Sequence, residues 1–320
     1  IKSCFDKISH EWMMEHIPTD KRILKEFMKC GYINKGKLYP TTEGSPQGGV
    51  ISPTYANMVL DGMEPMILNV YWRSKVKKTF GVKYNSHKVH MVRFADDFIV
   101  TASDKETLEA IKQMLESFLR ERGLTLSMEK TVITHINSGF DFLGWNFRKF
   151  KGKLIIKPSS KSMRKVTKKI SEIIKNNRTT KQEILIQRLN QVLIGWANYH
   201  QGTCAKKCFG TIDNRTWKIL WKWAKRRHPN KKHQWIVDKY WKEYKGRRWA
   251  FRTEKSILFS MSDMPIVRKS QMALDKNAFL DKEYFQKRSQ KHRQKRKMAM
   301  SSNNAAHIGI MRYRCESGMQ

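Results

Sequence analysis

The stretch Arg93-Phe94-Ala95-Asp96-Asp97-Phe98-Ile99-Val100 constrains this chain more than any other. Two adjacent carboxylates sit among apolar, β-favouring residues. Upstream, Val89, Met91 and Arg93 alternate with His90, Val92 and Phe94, which is the two-residue period of a strand. Phe98 to Val100 reads as a second strand, leaving Ala95 and Asp96 at a tight hairpin turn. Neighbouring carboxylates repel and tend to hold a proton. A divalent cation between them keeps both ionised, and Mg²⁺ takes hard oxygen ligands of this kind. A two-metal site of this sort drives phosphoryl or nucleotidyl transfer. The same pair could instead do no more than solvate a surface hairpin, so the rest of the chain has to decide.

At 320 residues the chain has room for two or three domains. Its formal net charge of +36 is unevenly placed. Residues 1–147 hold 20 Lys and Arg against 17 Asp and Glu, whereas residues 148–320 hold 44 against 11. A near-neutral first part is thus joined to one of net +33, whose field attracts a polyanion. A membrane surface is the alternative, but no long uncharged apolar run or lipidation signal supports it. The five cysteines are odd in number and scattered, so they suggest no disulfide framework. Cys204 and Cys208, with His200, lack the usual zinc spacing and read better as helix packing. No signal peptide is visible; a cytoplasmic setting, bacterial or archaeal with an organelle left open, is the expectation. Ile1 is not an initiator methionine, so the natural start can lie upstream.

In chain order, Ile1 to His10 is a short apolar-polar segment leading into a helix that continues through Ile23, Leu24 and Phe27 and ends at Gly31. Gly44-Ser45-Pro46-Gln47-Gly48-Gly49-Val50-Ile51-Ser52-Pro53 follows. Its glycines allow close backbone approach to a ligand, and Gln47 can donate or accept hydrogen bonds there. Ser52 is a candidate N-cap with Pro53 at the first helical position. Beyond the hairpin, Ser103 to Glu106 reads as a capping box. Leu108, Ile111, Leu115, Phe118 and Leu119 form the apolar face of the next helix, which Gly123 stops. Leu124 to Ser127 and Phe140 to Trp145 carry strand signals. Helices alternating with hairpin strands predict an α+β sheet with helices packed on one face.

From Pro158 the pattern is helical. Met163, Val166, Ile170, Ile173 and Ile174 make one stripe. Thr180 to Glu183 reads as a second capping box, before Leu185, Leu189, Val192, Leu193 and Trp196. A third helix carries Trp217, Leu220, Trp221 and Ala224, with Lys218, Lys222, Lys225, Arg226 and Arg227 on its other positions. These cations either form a solvated face or contact backbone phosphates, and their density favours phosphates. Residues 236–300 interleave Tyr240, Trp241, Tyr244, Trp249 and Phe251 with Lys and Arg. Such aromatics can stack on bases or fill a small core. Lys287 to Lys297 is almost wholly basic, and residues 301–320 show little periodicity, as a disordered tail would.

Together the motifs resemble one family. Phe94-Ala95-Asp96-Asp97 resembles the catalytic aromatic-x-Asp-Asp block of reverse transcriptases, and Ser45 to Pro53 is similar to the nucleotide-site loop of the group II intron reverse transcriptases. Leu126 to Thr131 and Phe142-Leu143-Gly144 resemble that family's later palm blocks, in the same order. Leu189-Asn190 with Gly195-Trp196-Ala197-Asn198-Tyr199 resembles the maturase-specific domain of the same proteins. The resemblance implies a partial reverse-transcriptase palm over residues 1–147 and a helical thumb/maturase domain over 148–235. A basic nucleic-acid-binding region over 236–300 and a tail over 301–320 complete the expected layout.

The resemblance also implies roles. Asp96 and Asp97 would bind metal, with two Mg²⁺ ions expected. Gln47 and Gly48 would line the nucleotide site, Phe5 would pack under the sugar, and the carbonyl of Ile1 could face a metal. Lys130 lies where a proton donor to the leaving pyrophosphate would sit, with a structural salt bridge as the alternative. The expected partners are intron RNA, a DNA target and primer, and dNTPs. The family's first catalytic aspartate would fall immediately before Ile1, and the fingers before that; both lie outside this sequence, and Asp6 is a different carboxylate. The chain is therefore expected to be part of a polymerase or a degenerate copy. An RNA-binding splicing cofactor without polymerase activity is the second reading. Ala278 to Phe285 resembles the approach to an HNH endonuclease, but of that domain's metal motif only Cys315 is present, which argues against a nuclease.

Overall fold

The structure is a computed structural model describing residues 1–316 apart from Ser3, Lys35, 40–43, 45–49, 75–82, Lys269, Gln271, 274 and 275. It divides into two compact units, Ile1–Ile133 and Thr134–Gln320. The α+β class predicted from the sequence is observed. In place of one continuous sheet, the described strands form several small antiparallel sheets.

In the first unit, short helices and one long one enclose an apolar core. Ser9 caps the His10–His16 helix and Asp20 caps Lys21–Lys29, each side chain accepting a hydrogen bond from a first-turn backbone N–H. The Lys105–Glu121 helix buries Ile111, Leu115, Phe118 and Leu119, spaced so that one face meets the core. Its cap is Asp104, which accepts from the Thr107 N–H at 2.8 Å, not the Ser103 expected from the capping-box pattern. Ser103 instead donates its hydroxyl to Asp104. Ser52 likewise opens the Ser52–Leu60 helix from inside: the cap position is Ile51, and Ser52 is buried.

The strand expected over Leu124–Ser127 shrinks to a single bridge, Thr125 to Lys2. Leu124 and Leu126 still point inward as a strand's alternation requires. In that bridge Lys2 donates its N–H to the Thr125 carbonyl at 3.0 Å.

The second unit begins with a three-stranded antiparallel sheet of Phe140–Phe142, Trp145–Phe150 and Lys153–Pro158. This sheet falls in the second compact unit, with the helices that follow. The reason is local: Tyr199 donates its hydroxyl to the Leu143 carbonyl at 2.8 Å and stacks on Trp145 at 4.4 Å between ring centroids. Helices Ser160–Asn176, Gln182–His200 and Lys206–Arg227 pack around Ile170, Leu185, Leu189, Phe209 and Leu220. The second capping box is not formed, because Thr180 turns its hydroxyl to Asn177 and Lys181 occupies the cap position.

Asn190 fastens the segment after the Trp241–Tyr244/Arg247–Phe251 hairpin, donating to the Ile257 carbonyl and accepting from the Phe259 N–H. Leu189, Asn190, Trp196, Ala197 and Tyr199 of the maturase-like motif are thus packing and fastening residues. Among 236–251, Tyr240, Trp241 and Phe251 are core, while Trp249 is 52% exposed. A helix spans Lys282–Glu316, continuing into the stretch that lacks sequence periodicity.

Candidate functional site

The acidic hairpin forms as its alternation predicts. His90–Phe94 pairs antiparallel with Asp97–Thr101, and Phe94 opposite Asp97 closes a two-residue turn of Ala95 and Asp96. Met91 is buried and Phe98 and Val100 pack against the core, so one face of the hairpin is anchored. The other presents Val92 and Phe94 at 60% and 64% exposure. Ala95 takes φ 54°, a left-handed conformation that costs a non-glycine residue about 1–2 kcal/mol. Arg93 holds this turn: its guanidinium donates to the Ala95 carbonyl at 3.2 Å and to Asn57 Oδ1 at 2.9 Å. Alternation had marked Arg93 only as a strand residue. Its role depends on Asn57, 36 positions away, which no local pattern shows.

Asp96 is half-exposed and Asp97 exposed. Below them lies Cys4, buried, its thiol pushed up to about 11 by burial first and by the Asp96 charge second. The Cys4–Lys7 helix thereby sits beside the acidic turn and also beside the start of the glycine-rich loop. The Gly44 N–H donates to the Ile8 carbonyl at 3.1 Å, and His10 Nε2 donates to the Gly44 carbonyl at 2.6 Å. A Cβ on Gly44, which has φ 76°, would come within 2.2 Å of the Phe5 carbonyl, so only glycine fits there. The loop leads into the helix that carries Asn57. Gln47 and Gly48 lie outside the described residues.

Phe5 and Ile1 are partly buried against the core. Lys130 is exposed in a turn after Leu126, with no ion-pair partner among the described residues.

Among the described residues no three His, Cys, Asp or Glu side chains converge as a metal site. Asp96 and Asp97 nevertheless fit Mg²⁺ as part of a ligand set. They are hard oxygen donors open to solvent, and among the described residues neither is engaged in a hydrogen bond or ion pair. His200 is wholly buried, ringed by Trp145, Trp196 and Tyr199, and burial pushes its pKa down to about 4. It packs the helices, with Nε2 3.3 Å from Ser162 Oγ.

The second cluster is cationic. Residues 215–232 carry eight Lys or Arg and no Asp or Glu. Lys218, Lys222, Lys225 and Arg226 are exposed on the Lys206–Arg227 helix. Arg227 differs: it donates to the carbonyls of Arg178 and Thr180 at 3.0 and 2.8 Å and lies over the Trp223 ring. A cleft of about 910 Å³ opens beside this helix, with Lys175, Arg178, Lys222, Arg226, Arg227 and His228 on its walls. Burial lowers the His228 pKa, and the charges of Lys239, Arg227 and Lys231 press the same way.

Comparison with known proteins supplies the class. The family described as "Reverse transcriptase (RNA-dependent DNA polymerase)" matches residues 1–147, and "Group II intron, maturase-specific domain" matches residues 163–241. Protein YkfC of Escherichia coli is 32% identical over 171 residues, covering 45% of this chain and 44% of that protein. Group II intron-encoded protein LtrA of Lactococcus lactis subsp. cremoris is 27% identical over 202 residues, covering 46% and 34%. A putative COX1/OXI3 intron 1 protein of Saccharomyces cerevisiae is 29% identical over 191 residues, covering 46% and 23%. Reverse-transcriptase and maturase matches occur in that order along one chain. The chain belongs to the family of group II intron-encoded reverse transcriptases/maturases. It spans less than half the length of these curated relatives.

Proposed function

We propose that the first unit is the palm of a reverse transcriptase and the helices of the second its thumb and maturase region. In this reading the protein binds its intron RNA, assists splicing and copies RNA into DNA from a primer and dNTPs. The observation that carries it is that one short segment relates to both elements: Cys4 feels the Asp96 charge, and the Ile8 carbonyl accepts from the Gly44 N–H at the entrance to the glycine-rich loop.

Asp96 and Asp97 would hold Mg²⁺, which when bound stabilises the attacking and leaving oxygens of nucleotidyl transfer. Arg93 and the strained Ala95 fix the direction of the turn, so the carboxylates need little reorganisation when they take up charge. Gln47 and Gly48 would face the nucleotide from the loop, with Phe5 beneath the sugar and the Ile1 carbonyl nearby. Lys130, exposed and unpaired among the described residues, could reach a departing pyrophosphate. Lys218, Lys222, Lys225 and Arg226 would neutralise RNA phosphates, while Arg227 shapes their helix.

A splicing cofactor without polymerase activity is the second reading, and Asp96 and Asp97 alone would supply only part of the ligand set that two ions need. The 320-residue chain is therefore expected to bind structured RNA, with an affinity that falls steeply as salt rises, and not to extend a primer. Assaying RNA affinity and primer extension on one preparation with Mg²⁺ tests both parts. Robust extension would mean that another carboxylate completes the site, with Asp6 the first to examine. RNA affinity absent at low salt would remove the maturase reading.

Among the described residues no helix is long and apolar enough to cross a membrane. A cytoplasmic setting is part of the same proposal.

A further inference from the structure

Three indoles in the second unit form a column that begins against the core, at Trp217 and Trp221, and ends in water at Trp249. Trp217 and Trp221, one turn apart on the Lys206–Arg227 helix, lie 5.9 Å between centroids and 2° from parallel. Trp249, from the Arg247–Phe251 strand, continues the column at 6.0 Å and 9° from Trp217. Trp241 closes it from below, tilted against both Trp217 and Trp221 and itself 3% exposed. Trp241 and Trp223 bury their rings in the core. Trp249 instead leaves half its surface in water, which forgoes burial of apolar area worth roughly 25 cal/mol per Å².

The surroundings of the column select its ligand. At about 100° per residue along a helix, Lys218, Lys222 and Lys225 fall on the strip next to Trp217 and Trp221. All three are exposed. A flat aromatic column beside a row of cations is the arrangement that stacks bases and follows phosphates. A fully paired duplex offers phosphates but keeps its base faces inside the stack. The column therefore selects a nucleotide that is already unpaired.

We propose that the Trp249 end of this column stacks an unpaired base of a structured RNA, with Lys218, Lys222 and Lys225 on the flanking phosphates. The proposal rests on the RNA-binding reading above and names the feature of the RNA that this surface reads.

The test uses the 320-residue chain and two hairpin RNAs, one fully paired and one carrying a single bulged purine. Trp249→Ala is expected to weaken binding of the bulged hairpin by about 10-fold, within the 1–3 kcal/mol that base–aromatic stacking contributes, and to leave the paired hairpin unchanged. Trp249→Phe, which keeps a ring, is expected to recover most of the loss. A 2-aminopurine placed at the bulge reports stacking on the wild-type chain without any variant, and its fluorescence is expected to fall on binding. Equal losses on both hairpins, no loss on either, or an unchanged 2-aminopurine signal would overturn the proposal. In each of those cases a wild-type chain that still binds both hairpins with a steep salt dependence leaves the RNA-binding reading standing. A wild-type chain that binds neither hairpin overturns both.

Discussion

The acidic turn and the cationic helix show two ways of presenting charge. Asp96 and Asp97 stand on a two-residue turn whose strands are anchored from one side and whose backbone is held by Arg93. The unit around them is nearly neutral. Lys218, Lys222, Lys225 and Arg226 stand on a long amphipathic helix whose other face is core, with few carboxylates nearby to pair them. Fixed geometry matters where an ion must be held at defined distances. Summed charge matters where the ligand is a polyanion whose phosphates can be met in many ways. The two regions should therefore fail differently when altered.

The largest expected effect is on chemistry. In any preparation that extends a primer, Asp96→Asn is expected to lower extension by on the order of 10³-fold while RNA affinity stays within about 2-fold. A comparable loss of RNA affinity would show that the two regions are not separable in function.

A smaller effect, on stability, belongs to the helical unit. His200 is buried with a pKa of about 4, below the 6.5 of an unfolded imidazole. Between these values the unfolded chain binds the extra proton, so stability rises with pH across that window. The contribution is complete above about pH 6.5, is lost as the pH falls towards 4, and changes little below. The loss amounts to roughly 3 kcal/mol. Thermal unfolding followed by tryptophan fluorescence from pH 7 to 4 measures it. His200→Gln, which stays neutral and can still reach Ser162, is expected to flatten the profile. An equally steep profile in that variant would assign the acid sensitivity to another group.

Sequence and structure agree best where the signal is local. The hairpin, its turn and the carboxylates were legible because alternation, β propensity and turn position all act within a dozen residues. Helix caps were read one position away, as at Ser103 and Asp104, because neighbouring residues of the same chemistry compete and only the backbone settles between them. On the third maturase-region helix the stripe pointed to Trp221, whereas Trp223 is the buried indole. A helix with tryptophans at 217, 221 and 223 offers two apolar directions, and the neighbouring helices choose. The Trp249–Trp217 stack and the Arg93–Asn57 bond join residues far apart in sequence, so no periodicity could reveal them.

The most direct test of the division between the two regions is the salt dependence of RNA affinity for three forms of the 320-residue chain: wild type, Asp96→Asn with Asp97→Asn, and Lys218→Gln, Lys222→Gln, Lys225→Gln and Arg226→Gln combined. Each phosphate contact contributes about 0.7–0.9 to the slope of log affinity against log salt. The fourfold variant is expected to lower affinity by about 10- to 100-fold at low salt and to reduce the slope by about 3. The double carboxylate variant is expected to keep the wild-type slope. A fourfold variant with an unchanged slope would contradict the account and make these cations a solvated surface.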